Sequence, residues 1–132
     1  MASHWTHITM SSSNIERSID FYTSFCELEV LRDRRLEGGG TVWLGANTPS
    51  GKNPTFVLVI SEGEVVSRID HFGFQCDTRD EVDRIAERAR ESEILISGPK
   101  DSGGSVGYWT MIRDPDGHTV EFTNGQPLEG LK

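Results

Sequence analysis

An internal repeat constrains the fold of this 132-residue chain more than any other feature. Each half opens with a stretch of alternating apolar and polar residues, 5–10 and 69–76, which is typical of a half-buried strand. His7 and His71 occupy equivalent places in the two stretches, 64 residues apart. The sequence therefore predicts two copies of one structural unit, about residues 4–61 and 68–124, within a single domain over residues 1–132.

The same order of elements follows each opening strand. Ser13-x-x-Glu16 and Thr78-x-x-Glu81 both match the capping box that begins a helix. Three strands follow each helix, predicted over residues 27–34, 41–45 and 56–60 and then over residues 93–97 and a final hairpin. Residues 37–40 are predicted to form a flexible turn, residues 46–53 and 98–104 to form loops, and residues 125–132 a loose tail. We expect an α+β fold of paired βαβββ modules with curved mixed sheets and helices outside.

The final hairpin contains a carboxylate in an unusual position. Asp114-Pro115-Asp116-Gly117 predicts a tight turn, since proline sets φ and glycine accepts positive φ. Alternation along the second arm puts Thr119, Glu121 and Thr123 on the face opposite Val120 and Phe122. A lone carboxylate in the middle of a strand is rarely buried without a partner, so a partner for Glu121 is expected.

Charge and cysteine content exclude several classes of function. The chain has 13 Lys and Arg against 21 Asp and Glu, and its net charge of −8 disfavours nucleic acid as a partner. Cys26 and Cys76 lie far apart, which predicts neither a disulfide framework nor a cysteine-rich zinc site. There is neither a long apolar run nor a signal-peptide pattern, so we expect a cytoplasmic protein that does not bind membranes.

Two histidines are candidates for the partner of Glu121. If the apolar residues of each strand face the helices, His7, His71 and Glu121 share the opposite, concave surface. Two imidazoles and one carboxylate suit a divalent Fe, Mn, Ni, Co or Zn ion and leave coordination positions open. A single histidine in a strand is more often a hydrogen-bonded structural residue, but the repeat favours the metal site. His4 is expected to face solvent and His118 to act locally.

Four phrases carry a resemblance to a known family: WTHITM, RSIDFYTSF, IDHFGF and RDPDGHTVEF. Together they are similar to the vicinal oxygen chelate superfamily, which contains glyoxalases, bleomycin-resistance proteins and extradiol dioxygenases. The resemblance implies a homodimer and metal ligands at His7, His71 and Glu121. It also implies that His7 of one subunit can meet His71 and Glu121 of the other.

The sequence departs from glyoxalase I enzymes of this superfamily at a fourth ligand, commonly a glutamate. The repeat offset from Glu121 leads to Val57 or Phe56, and neither residue can bind a metal or accept a proton. The resemblance then favours three-ligand members, the fosfomycin-modifying thiol transferases and the ring-cleaving dioxygenases. Candidate substrate-binding residues are Thr9, Trp43, Lys100, Tyr108, Trp109 and Met111, with Trp5 as a further aromatic wall.

Two classes of function follow from these observations. The first is a metal-dependent enzyme that acts as a Lewis acid on a small substrate with neighbouring oxygens. Its chemistry is of the lyase/isomerase type, like lactoylglutathione lyase, or of the thiol-transferase type, with an extradiol-type dioxygenase as the alternative. The second is a metal-free drug-binding protein, like the bleomycin-resistance members, whose acidic surface favours cationic drugs.

Overall fold

A computed structural model describes residues 7–46, 56–104 and 106–125. Predictions for His4, Trp5, most of the loop at 46–53 and the tail from 126 onward lie outside the described residues. The chain divides into two compact units, Met1–Arg68 and Ile69–Lys132. That boundary falls between the two predicted modules, and the expectation that both belong to one domain stays a prediction.

The first unit contains one helix and one four-stranded sheet. Its elements are β1 (His7–Ser12), α1 (Ile15–Ser24), β2 (Leu28–Asp33), a short 3₁₀ helix (Arg35–Glu37), β3 (Thr41–Ala46) and β4 (Val57–Glu62). The strand order is β1-β4-β3-β2, with β1 parallel to β4 and the other pairs antiparallel. This is the predicted βαβββ order.

The second unit repeats this arrangement. Its elements are β5 (Phe72–Gln75), α2 (Arg79–Glu91), β6 (Leu95–Asp101), β7 (Tyr108–Arg113) and β8 (Thr119–Asn124). The strand order is β5-β8-β7-β6, and β5 runs parallel to β8. The predicted α+β class and its two βαβββ modules are therefore confirmed. Within the described ranges, neither helix has the length and apolar character that a membrane span requires.

Each sheet has one face covered by a helix, as the alternation predicts. In the first unit, Met10, Leu44 and Ile60 are buried on one face of the sheet, and α1, whose Tyr22 is also buried, contacts β2 and β4. In the second unit, Ile112, Val120 and Phe122 of the sheet are buried on the face toward α2. The helix contributes Val82, Ala86 and Ala89 to this core. The opposite face of each sheet is left for the polar residues of the candidate site.

The predicted cap of the first helix is wrong by one residue. Asn14 is the N-cap, and its Oδ1 accepts a hydrogen bond from the backbone N–H of Arg17 at 3.2 Å. Asn is as good a cap as Ser, so Ser13 is left to accept a hydrogen bond from the Arg17 side chain instead. The second cap is confirmed, since the Thr78 hydroxyl accepts from the backbone N–H of Glu81.

Most strand boundaries differ from the predictions by one or two residues, and two of the differences bear on the candidate site. Strand β6 continues through residues 98–101, which we had expected to be a loop. It lies at the edge of its sheet, and a register shift between Ser97 and Lys100 accommodates Pro99 there. Strand β5 begins at Phe72, so His71 lies one residue before the strand instead of within it.

Candidate metal and substrate site

Glu121 lies on an inner strand of the second sheet, as the hairpin pattern predicts. The turn is closed by a 3.0 Å hydrogen bond from the Gly117 N–H to the Asp114 carbonyl. On the sheet, Glu121 pairs with Gly73 on one side and Met111 on the other, and it is only 8% exposed. The sequence therefore placed this carboxylate correctly in a buried, mid-strand position.

The Glu121 carboxylate lacks a partner within the part of its unit that the structure describes. Among the described residues of its unit, none donates a hydrogen bond to it or forms an ion pair with it. Burial of most of this side chain without such a partner costs part of the hydration of the carboxylate, although neither of its oxygens is fully buried. A cation that binds Glu121 would offset this cost.

Gly73 leaves the space that the Glu121 carboxylate occupies. A Cβ atom built on Gly73 would lie 3.2 Å from Oε2 and 3.4 Å from Cβ of Glu121. Any larger residue at position 73 would therefore displace the carboxylate. Because Gly73 has no side chain, the Glu121 carboxylate can lie over β5 at this position. Gly73 is two residues after His71 in the chain.

The Asp70 carboxylate holds the imidazole ring of His71. Nδ1 of His71 is 2.5 Å from Oδ1 of Asp70, and the His71 side chain is 40% exposed. Because Nδ1 is engaged by a carboxylate, Nε2 is the nitrogen left for a ligand. This role of Asp70 was not predicted, although its position directly before the candidate ligand His71 in the sequence was a usable signal.

Trp109 and Lys100 lie farther along the same face of the second sheet. Trp109 pairs with Thr123 on one side and with Lys100 on the other. Its indole N–H donates a 2.9 Å hydrogen bond to the hydroxyl of Ser102, which fixes one end of the ring. Met111 lies in the same row as Glu121, and Trp109 and Lys100 lie in the next row along the strands.

Tyr108 lies on the other face of this sheet, toward α2. Its hydroxyl donates a hydrogen bond to Asp83, and the guanidinium carbon of Arg79 is 4.7 Å from its ring centroid. The hydrogen bond to Asp83 raises the pKa of Tyr108 above its usual value. Of the two neighbouring aromatics proposed from the sequence, Trp109 shares the face of Glu121 and Tyr108 does not.

The first sheet carries an equivalent row of residues on the face away from α1. Thr9 pairs with Val59, and Val59 pairs with Trp43 on the next strand. His7 lies two residues before Thr9 on this face and is exposed. The face therefore brings His7, Thr9 and Trp43 together within one unit, as the alternation predicts.

The registers correct the position that corresponds to Glu121. In the second unit, Glu121 pairs with the residue two positions after His71, and in the first unit Val59 pairs with the residue two positions after His7. Val59 is therefore the equivalent residue, not Val57 or Phe56. The constant offset failed because the stretch from His7 to Val59 is two residues longer than that from His71 to Glu121. An apolar residue still occupies the position.

The three predicted metal ligands are divided between the units. His7 belongs to the first unit, and His71 and Glu121 belong to the second. In the described ranges, no group of three or more His, Cys, Asp or Glu side chains is arranged to hold a metal ion. The assignment of all three residues to one metal site thus stays a prediction.

With this fold and these residues, comparison with known proteins defines the class. The model of the Glyoxalase/Bleomycin resistance protein/Dioxygenase superfamily matches residues 4–122, and the chain belongs to this superfamily. A relative is the Pseudomonas aeruginosa protein PA2024, which is 34% identical over 93% of this chain and 89% of its own length. Lactoylglutathione lyase GLX1 of Arabidopsis thaliana is 29% identical over 92% of this chain, which spans only 44% of the length of that enzyme.

Solved structures show the same fold at lower sequence identity. The genomically encoded fosfomycin resistance protein FosX from Listeria monocytogenes has a TM-score of 0.76 and 20% identity, with 98% of this chain and 95% of that chain covered. Another crystal structure of FosX is complexed with Mn(II) and sulfate; it has a TM-score of 0.73 and 20% identity, with coverage of 98% and 94%. The predicted superfamily is therefore confirmed.

Proposed function

We propose that this protein is a divalent-metal-dependent enzyme of the glyoxalase superfamily in which His7, His71 and Glu121 bind one metal ion. The observation that carries the proposal is the buried carboxylate of Glu121, which has no hydrogen-bond donor among the described residues of its unit. Two neutral imidazoles and one carboxylate are a suitable donor set for Fe, Mn, Ni, Co or Zn. The Mn(II) complex of FosX, a protein with the same fold, is consistent with this proposal.

The surroundings of His71 and Glu121 also support a metal site. Asp70 holds Nδ1 of His71, which is the carboxylate–histidine arrangement that orients imidazole ligands in metalloproteins. Gly73 leaves room for the Glu121 carboxylate. Neither feature contributes to the hydrophobic core, so both are better explained by a ligand on this face of the sheet.

A metal ion in this site would act as a Lewis acid and stabilise negative charge on neighbouring substrate oxygens. The protein's own residues would bind and orient the rest of the substrate. Trp109 and Met111 provide an apolar surface beside Glu121, and Ser102 fixes the indole of Trp109. Lys100 and Thr9 supply a cation and a hydroxyl on the same faces as the proposed ligands.

The substrate that we propose is a small molecule with neighbouring oxygens, and the reaction is of the lyase/isomerase or thiol-transferase type. Lactoylglutathione lyase GLX1, which resembles this chain, represents the lyase type, and the fosfomycin resistance protein FosX shares its fold. Val59 stands where a glutamate would provide both a fourth ligand and a base. Proton transfer between adjacent carbons would therefore need another base.

Metal analysis of the purified protein tests the proposal. We expect about one divalent ion per chain by plasma mass spectrometry, and loss of that ion in His71→Ala and His7→Ala. Glu29→Gln is the matched control, because Glu29 is an exposed strand glutamate and its replacement should leave the metal content unchanged. A full equivalent of metal in His71→Ala would contradict the assignment.

The same measurement separates the alternatives. Native iron would favour the extradiol-type dioxygenase, whereas nickel, zinc, cobalt or manganese would favour the lyase or transferase types. No uptake of any of these ions after reconstitution would favour a metal-free drug-binding protein. The homodimer implied by the family resemblance is a separate proposal, which sedimentation equilibrium tests directly.

A further inference from the structure

A second cluster in the first unit has no role in the proposed metal site. Arg32 and Arg34 both approach the ring of Trp43, with their guanidinium carbons 6.0 Å and 5.7 Å from its centroid. These distances are within the range of cation–π attraction. Arg32 and Trp43 are also direct partners across β2 and β3, on the face that carries His7 and Thr9.

The two arginines differ in how closely they bind Glu37. Arg32 donates two hydrogen bonds to Glu37, at 3.3 Å and 3.0 Å, and these bonds are the main cause of the lowered pKa of the Glu37 carboxyl. Arg34 forms a looser ion pair with the same carboxylate, with 3.6 Å between Nε and Oε2, and it also contributes to the lowered pKa. Among the described residues of its unit, no other acceptor binds the Arg34 guanidinium, so its two terminal nitrogens keep N–H donors for a ligand.

The backbone of the glycine-rich turn also positions the Arg34 side chain. A Cβ atom built on Gly39 would lie 3.1 Å from Cζ and 3.3 Å from Nε of Arg34. The Gly39 N–H in turn donates a 3.1 Å hydrogen bond to the Arg34 carbonyl. The turn, which the sequence predicted only to be flexible, therefore packs against the Arg34 side chain. The absence of a side chain at Gly39 leaves space for the Arg34 guanidinium.

We infer that Arg34 and Trp43 form a binding site for a small organic oxyanion, a carboxylate or a phosphonate, whose apolar part lies on the indole. A guanidinium beside an aromatic ring keeps planar N–H donors that match the two oxygens of such a group. The site is defined within the first unit alone. If the substrate of the enzyme binds at this site, that substrate is an anion; this step rests on the proposed function.

Distances along the sheet are compatible with one small molecule. Trp43 and Thr9 are two strands apart in the same row, which corresponds to roughly 10 Å between their Cα atoms. His7 lies two residues from Thr9 on that face. A substrate of modest size would thus reach from an anionic group at Arg34 to an oxygen near His7.

Binding of benzoate and phenylphosphonate to metal-free protein tests the inference. The indole N–H signal of Trp43, assigned with Trp43→Phe, should shift with millimolar affinity for at least one of these probes, while neutral benzamide should cause no shift. Arg34→Gln should weaken binding by about 10- to 100-fold, the range expected for loss of a charge-assisted hydrogen-bond pair. Arg17→Gln removes the same charge from exposed α1 and should leave binding unchanged.

Gly39→Ala provides a second variant that keeps every charge. The added methyl group should displace the Arg34 guanidinium and weaken binding several-fold, whereas Gly63→Ala, with open space around it, should not. Unchanged binding in Arg34→Gln, or equal losses in Arg34→Gln and Arg17→Gln, would overturn the inference. Because the protein is metal-free, failure of the metal site would appear only in the separate metal analysis.

Discussion

Replacement of Glu121 by Gln should change stability in opposite directions without and with metal. In the metal-free protein, Glu121 is 8% exposed and has no donor among the described residues of its unit. Gln has nearly the same shape but no charge to desolvate. We therefore expect Glu121→Gln to raise the free energy of unfolding of the metal-free protein by about 1–2 kcal/mol.

Binding of a metal ion should reverse the order of stability of wild type and Glu121→Gln. Mn(II) at 100 times its dissociation constant stabilises a protein that binds it only when folded by about 2.7 kcal/mol. Wild type should gain this amount and Glu121→Gln should gain almost none, since an amide oxygen replaces the anionic ligand. The wild-type protein would then be the more stable of the two by roughly 1 kcal/mol, a difference of a few degrees in Tm for a chain of this size.

Thermal and urea unfolding with EDTA and with Mn(II) measure both effects. Glu29→Gln, on the exposed strand β2, should stay within about 0.5 kcal/mol of wild type and keep the full Mn(II) stabilisation. The reasoning is refuted if Glu121→Gln destabilises the metal-free protein, because Glu121 would then have a structural partner. A full Mn(II) shift in Glu121→Gln would equally refute its role as a ligand.

Three further predictions concern the neighbours of the proposed ligands and the hydroxyl of Tyr108. Asp70→Asn should lower the affinity for Mn(II) by about tenfold by calorimetry, with unchanged stability, because the amide orients His71 less strongly; an unaltered affinity would remove Asp70 from the site. Gly73→Ala should also lower this affinity, by roughly tenfold, since its methyl group would crowd Oε2 of Glu121, whereas Gly63→Ala should not; equal affinities in the two variants would contradict the geometry. The hydrogen bond to Asp83 raises the pKa of Tyr108, so its contribution to stability is present below about pH 10 and is lost as the pH rises through the folded-state value. Tyr108→Phe should therefore weaken the fall in unfolding free energy between pH 9 and 11 in urea titrations, and an identical pH dependence would disprove the assignment.

Sequence patterns with a fixed period predicted most of the fold. Alternation identified the buried faces of β1 and β8, and the hairpin turn at Asp114 followed from proline and glycine chemistry. Rules that consider only neighbouring residues failed at two places. At the start of α1, two good capping residues are adjacent, and Asn14 is the N-cap in preference to Ser13. In β6, a bulge allows the strand to continue past Pro99.

Contacts between side chains were much less accessible from the sequence. The place of Glu121 followed from its strand, but the space above Gly73 and the arrangement of Arg34 on Trp43 depend on register and turn geometry. The position of Val59 shows the same limit. A repeat offset assumes equal lengths in both halves, and only the pairing of β1 with β4 reveals the two extra residues in the first.

The registers also show how the two copies of the repeat have diverged in chemistry. Trp43 and Met111 are equivalent, since each pairs with the residue at the position of Val59 or Glu121. In the first unit, the two positions carry the apolar side chain of Val59 and the ring of Trp43, with guanidinium groups nearby. In the second unit, they carry the carboxylate of Glu121 and the thioether of Met111. If the proposed functions hold, the second unit supplies the anionic ligand for the metal and the first supplies the cation for the substrate. Single substitutions can separate these roles: Glu121→Gln should weaken metal binding and leave oxyanion binding at Arg34 unchanged, and Arg34→Gln should weaken oxyanion binding and leave the metal affinity unchanged.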